Sequence, residues 1–589
     1  SPDFVAPEVA STAVLRFRLT VTDNEGATAD DFVDITVFDR EYNTDGDGLP
    51  DGWEFQYFGD ITSQNGSGDP DSDGLTNLEE YNSGADPTVA DGIPPAVSQV
   101  SARAGDTDVI IEFDRAPAAT RYDLYWSASP GVSSATGTHI ADVTSPYIHS
   151  GLSNDTAHYY VVVAANLHGQ SPDSPETSAT PRARTWAMTT TASSMSGQLP
   201  NIARDDQGNA VLVYYADGVG NTIPPPPPKL YAVRYSRQAG WGTPELLASP
   251  TYYLGVFDTQ LQVAMNSRGD AVTIWIEDDG IRRNLWSRVL PASATQWQTA
   301  QLVETFDGSG GDRGEVFSAH VSIGDDGLMA AVWTQGVPTG TYASLRTLSQ
   351  PWSPRRLMGS GGYTDEVNAA ADGRGGAFVT WTSGSAVLGA RYSKGAWDAP
   401  ATLYDDSGYS VSIPRIGADS QGNAVVAFVA AKNGKRTTYD IRATRYRAAS
   451  GWDPASQVID AGSAFVDPLR LDVRRTGEAV VAWTQNDPYA NFMAASGAWS
   501  GPLKLRKGGV LFDMASDSAG RALAVVRKTD RKTGDSLYWA PVTPSGWGSA
   551  TLLAPGAVSG RLAADEYGNA IAVWPCAGIC SATYEVREP

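Results

Sequence analysis

Residues 202–215 read IARDDQGNAVLVYY and residues 230–248 read LYAVRYSRQAGWGTPELLA. A polar turn around Gly208 leads into an apolar strand ending near Tyr214, then a second strand and a tryptophan marker at Trp241. The unit recurs to the end of the chain. Its turn glycine returns at Gly208, Gly269, Gly327, Gly375, Gly422, Gly477, Gly520 and Gly568, about every 51 residues, a period typical of stacked or radial repeats. An aromatic closes the apolar strand at Tyr214, Trp275, Trp333, Trp381, Phe428, Trp483 and Trp574, and the second marker returns at Trp241, Trp297, Trp352, Trp397, Trp452, Trp499 and Trp547. The eight glycine turns are thus followed by only seven markers, while an unmatched one, Trp186, precedes the first turn. A ring explains this, with the first strand completing the last copy. The fold class is therefore expected to be all-β, with residues 184–589 an eight-bladed β-propeller of four-stranded blades exposing few sheet edges. Seven blades follow if the copy at Gly327 or Gly520 is misread.

Composition agrees. A chain of 589 residues exceeds one compact domain. Its 60 Gly, 36 Pro, 17 Trp and 25 Tyr favour short strands and tight turns over long helices. The net charge of −24 opposes binding to nucleic acid or to an anionic membrane surface. No run of 18 uncharged apolar residues occurs, so no membrane insertion is expected within this chain.

Upstream, the patterning changes three times. Residues 15–37, LRFRLTVTDNEGATADDFVDITV, alternate apolar and polar residues on either side of a turn, as a hairpin does. They resemble the last strands of polycystic-kidney-disease-type Ig-like repeats of bacterial surface proteins, which makes 1–40 a partial module. Residues 94–183, with RYDLYWSAS and DTAHYYVVVAANLHGQ, resemble a fibronectin type III domain. That resemblance implies a spacer sandwich in which Tyr159 ties a loop to the backbone through its hydroxyl. The propeller repeats in turn resemble the D-x-x-G-N-A-x-A-V-W units of secreted bacterial propellers and the Asp-box turns of sialidases.

Residues 41–93 carry the strongest chemical signal. Asn43, Asp45, Asp47, Leu49 (through its carbonyl), Asp51 and Glu54 stand at positions 1, 3, 5, 7, 9 and 12 of a loop with Gly48 at the bend. Asp69, Asp71, Asp73, Leu75, Asn77 and Glu80 repeat the pattern around Gly74. Alternate residues of a tight loop converge on one point, and Ca2+ takes six to eight such hard oxygens. The pair resembles the EF-hand-like loops of bacterial thrombospondin type-3 and dockerin-like modules, implying two Ca2+ sites. Extracellular calcium would keep them filled, so stiffening of a stalk is expected rather than switching.

The cysteines, Cys576 and Cys580, allow either a local disulfide or free thiols. Low cysteine content and high acidity suit an extracellular or bacterial cell-surface protein. The chain begins at Ser1 in what reads as the end of a domain, so it is expected to be part of something longer.

Catalytic groups are sparse. Of five histidines, His139, His149, His158 and His168 lie in the fibronectin-like segment, leaving His320 in the propeller as a packed residue or, less favoured, a base. The pairs Arg234-Tyr235, Arg391-Tyr392 and Arg445-Tyr446 read as strand cover or as a carboxylate clamp. Asp205, Asp419 and Asp565 read as turn caps. The insertions 216–229, ADGVGNTIPPPPPK, and 306–317, FDGSGGDRGEVF, read as binding loops or tolerated excursions. The expectation is an adhesin-type binding protein whose propeller meets a glycan or cell-surface ligand. A polysaccharide lyase or glycoside hydrolase is the alternative, and a platform docking a protein partner the third reading.

Overall fold

Strands make up almost all regular structure; among the described residues only Asp51–Phe58 and Asn77–Ser83 are helical. A computed structural model describes the chain except residues 1–12, 38–42, 84, 90–91, 167, 194–196, 217–228, 251–260, 305–314, 337–338, 361–365, 435–437, 464–465, 506, 518–520, 531–533 and 587–589. Gly520 and most of both insertions therefore lie outside the described residues. The chain divides into two units, Ser1–Ala183 and Arg184–Pro589.

In the first unit, Ala13–Thr22 pairs antiparallel with Thr28–Val37. Asp23 accepts the backbone N–H groups of Glu25 and Ala27 and shapes the turn. Leu19, Val21, Phe32 and Val33 remain more than half exposed, so among the described residues no second layer covers this hairpin. Residues 100–179 form two antiparallel sheets, of three and four strands. Val109, Ile111, Leu124, Tyr160 and Val162 share the core with Tyr122. The hydroxyl that ties a loop to the backbone is that of Tyr122, accepting the Ala116 N–H at 2.9 Å. Tyr159, expected in that role, sits instead in a smaller cluster with Tyr125 and Val132 on the opposite face of its strand. Neighbouring strand residues point to opposite faces, so identifying the strand did not identify the inward tyrosine.

Among the described residues the second unit contains eight antiparallel sheets of four or five strands. Their first strands are Gly197–Arg204, Leu261–Met265, Val316–Ile323, Val367–Ala371, Tyr409–Ala418, Leu469–Val473, Val510–Ser516 and Arg561–Ala564. Each first strand lies against the next, and Arg561–Ala564 lies against Gly197–Arg204, closing a circle. Arg184–Ser193 pairs with Ile579–Val586 as the outermost strand of the eighth sheet. That closure is further fixed by Arg204, which donates to Glu585 at 2.7 Å and Asp565 at 3.3 Å.

Between sheets the repeated aromatics form the core: Tyr214, Trp275, Trp333, Phe428 and Trp483 are almost wholly buried. The later marker tryptophans also tie sheets together. Trp241 donates its indole N–H to Ser581 of the eighth sheet at 2.9 Å, and Trp352 donates to Ser287 of the second at 2.7 Å.

Candidate functional site

Two places concentrate chemistry. In the first unit, the carboxylates of Asp45, Asp47 and Glu54 come within 4.8 Å of one another, as do those of Asp69, Asp71 and Asp73. Both clusters are geometrically compatible with a metal ion. The loops are held by equivalent bonds: Asp47 accepts the Leu49 N–H at 2.9 Å, and Asp73 accepts the Leu75 N–H at 2.8 Å. Glu54 is fully buried, and among the described residues neither carboxylate oxygen has a hydrogen-bond partner. Burial, then the charges of Asp47, Asp45 and Asp51, pushes its carboxyl up to about 7. Burial and Asp73 push Asp71 up to about 6. Such a buried acid is costly without a cation or proton, so the donor set fits a hard metal ion.

The remaining expected ligands are placed less uniformly. Glu80 is fully buried at the position equivalent to Glu54, and Leu49 is buried too. Asn43 accepts the Gly46 N–H at 2.6 Å, Asp51 accepts the backbone and hydroxyl of Thr44, and Asn77 donates to the Asn65 carbonyl at 2.8 Å. These three are bonded to neighbouring protein groups.

In the second unit, a cavity of 1220 Å³ lies among the first strands of the sheets. Sequence reasoning missed the order in its lining. Each hairpin opens at an equivalent residue: Asp205, Asn266, Gly324, Asp372, Asp419, Arg474, Asp517 or Asp565, whose N–H bonds the carbonyl four residues on. Four residues before each stands a polar side chain: Asn201, Gln262, His320, Asn368, Arg415, Arg470, Asp513 and Arg561, and all eight line the cavity. The signal was available in the aligned repeats, but it is a shared position rather than a shared residue.

Most of this belt closes the exposed edge of the neighbouring first strand. Asn201 donates to the Leu261 carbonyl at 3.3 Å, and Gln262 donates to Ala319 and accepts from Val321. Asn368 accepts the Ile416 N–H at 3.2 Å, Arg470 donates to the Phe512 carbonyl at 2.8 Å, and Asp513 accepts the Leu562 N–H at 3.0 Å. His320 belongs to the same series, its Nδ1 accepting the Ala369 N–H at 3.2 Å. The imidazole proton therefore sits on Nε2. Burial and the charge of Arg415 push its pKa down to about 3, so the ring is neutral.

At the hairpin end, one guanidinium crosses between sheets. Arg475 of the sixth sheet meets Asp325 of the third at 2.8 Å, Asp206 of the first at 3.2 Å and Glu566 of the eighth at 3.6 Å. Burial pushes Asp206 up to about 6 and Glu566 up to about 8 despite the nearby arginine. The strands leading into residues 217–228 and 305–314 end on the opposite side.

The other sequence candidates serve the frame. Arg234 donates to the carbonyls of Ala294 and Thr295, Arg391 to the Tyr446 hydroxyl at 3.0 Å, and Arg445 to the Ala495 carbonyl at 3.1 Å. Each reaches the next sheet, and the three do not converge. Asp205, Asp419 and Asp565 cap their turns by accepting two backbone N–H groups each. Cys576 and Cys580 are disulfide-bonded.

No protein-family model matches the chain, and no curated protein matches it. Among solved structures, an ulvan lyase of polysaccharide lyase family 25 aligns at a TM-score of 0.40 and 10% identity, over 67% of this chain and 95% of its own. The Hadza microbial sialidase Hz136 aligns at 0.31 and 11%, over 84% and 98%. The six-bladed fucose lectin of Aleuria aurantia aligns at 0.29 and 13%, over 52% and 92%. Likenesses this weak assign no activity to the chain, which is an all-β, multi-sheet protein. Among the described residues no helix is long and apolar enough to cross a membrane.

Proposed function

We propose that this chain is an extracellular glycan-binding protein of the adhesin type. It has an eight-bladed propeller as its binding head and a stalk of Ig-like strands, a two-Ca2+ module and a fibronectin type III spacer. The observation that carries the reading is the polar cavity among eight first strands. A saccharide needs many directional hydrogen bonds, and a rigid scaffold can hold them without an ordering cost at each encounter. The disulfide supports an oxidising compartment. In the stalk, Asp45, Asp47 and Glu54 would hold one Ca2+, and Asp69, Asp71, Asp73 and Glu80 the other. The ions would neutralise buried carboxylates and fix the loops that carry them.

A second reading, polysaccharide lyase or glycoside hydrolase, is favoured by the presence of His320 and several arginines in one cavity. Against it, His320 directs an N–H rather than a lone pair away from its backbone partner, and a general base needs that lone pair. The test is a glycan array on the full chain, with calcium and with EDTA, followed by an ultraviolet assay for unsaturated products and a reducing-sugar assay. Retained glycan without product supports binding. Product formation establishes the second reading, and silence in all assays moves the function to a protein partner.

A further inference from the structure

One charged member of the belt has donors to spare. Arg415, on the first strand of the fifth sheet, has a single hydrogen bond among the described residues, to the carbonyl of its neighbour Pro414 at 3.1 Å. It has no ion pair there, although Glu366 and Asp467 lie near enough to favour its charge. A guanidinium carries five N–H donors, so most of this one's capacity remains unspent beside the cavity. Arg470, on the next sheet, is already committed to Asp513 and to the carbonyls of Leu469 and Phe512. Burial and the charge of Arg470 lower Arg415 to about 10, which leaves it fully charged at neutral pH.

The two preceding belt positions have complementary polarity. Asn368 uses its carbonyl oxygen to accept the Ile416 N–H, which leaves its NH2 group as donor. His320 uses Nδ1 to accept the Ala369 N–H, which leaves Nε2–H as donor. The three belt residues thus each present a donor, one of them a guanidinium without an ion pair among the described residues, and the carboxylates of Glu366 and Asp467 line the same cavity. We propose that His320, Asn368 and Arg415 form a binding arc for the anionic group of an acidic saccharide, a carboxylate or a sulfate ester. An oxyanion offers several lone pairs in a compact group, and charge-assisted bonds from fixed donors are the strong ones. Because Arg475 bridges sheets at the hairpin end, the saccharide enters from the other side.

The arc rests on the glycan reading and narrows it to acidic sugars. Its test is isothermal titration of the full chain with three probes: an oligogalacturonate, a κ-carrageenan oligosaccharide, which carries sulfate esters and no carboxylate, and a neutral β-glucan oligosaccharide. Binding of either acidic probe, lost about tenfold or more in Arg415→Gln with no change for a neutral binder, supports the arc. The acidic probe that binds identifies carboxylate or sulfate. Asn368→Asp provides a second variant that keeps the acceptor for Ile416 while replacing the donor by a negative oxygen, and it should lose the acidic probe likewise. It decides the matter if Arg415→Gln does not fold. Equal binding of neutral and acidic probes, or acidic binding unchanged in both variants, overturns the arc while leaving the glycan reading intact. Failure of every saccharide to bind overturns both.

Discussion

The acidic loops and the circle of sheets both arise by repetition, but they use it differently. Loops 43–54 and 69–80 repeat one pattern, with Asn and Asp exchanged at the first and ninth positions, and the same aspartate–backbone bonds result. The eight sheets repeat a frame, and the residue facing the cavity changes from copy to copy. Two similar clusters suit two ions of one kind. Eight different side chains suit one ligand that has no eightfold symmetry. Agreement between copies therefore marks frame or a shared ligand, while variation at an equivalent inward position marks where a particular molecule can be read.

Removing the proposed calcium ions should break the comparison most severely. Among the described residues the buried Glu54 carboxylate has no hydrogen-bond partner, so EDTA should open residues 43–83 to protease while the sheets of the second unit keep their melting transition. Glu54→Gln should reduce bound calcium from the two expected clusters to one, measured by equilibrium dialysis. A smaller effect is expected from Arg475→Met, which leaves three carboxylates facing one another. Breaking a buried pair costs 3–5 kcal/mol, and Arg475 keeps 36% of its side chain exposed, so a loss of about 2 kcal/mol is expected in denaturant unfolding.

The same cluster sets a pH dependence. The folded-state pKa values of Glu566 and Asp206 lie above their ordinary values, so the folded protein holds these protons more tightly than the unfolded chain. Their contribution to stability is greatest at low pH and is lost as pH rises, from about 4.5 to about 8 for Glu566. With calcium saturating, the melting temperature of the second unit should fall across that window, and Glu566→Gln should flatten the fall. The mildest change is Ser581→Ala. It removes the acceptor of the Trp241 indole at the closure between the first and eighth sheets and should cost about 1 kcal/mol.

Much of the frame was legible because it depends on local rules. A turn glycine with positive φ recurs, as at Gly208 and Gly568, because the hairpin needs that backbone. The spare Trp186 forecast a strand that pairs with the end of the chain. The acidic loops were legible for the same reason, since twelve consecutive residues contain most of the cluster. The belt was not, because its members differ in type and only the fold brings them together. Irregular pairing between Gln198 and Asn201, and between Ser412 and Arg415, also disrupts simple alternation just before two belt positions. Arg475 meets carboxylates from three other sheets, a contact no local pattern encodes.

The most direct test of the account is a crystal structure of the full chain grown with an acidic oligosaccharide that it binds in titration. The account predicts saccharide within the cavity, its charged group within hydrogen-bonding distance of Arg415. Saccharide held on the outer strands of the sheets, or on the first unit, with the cavity containing only water, would contradict it.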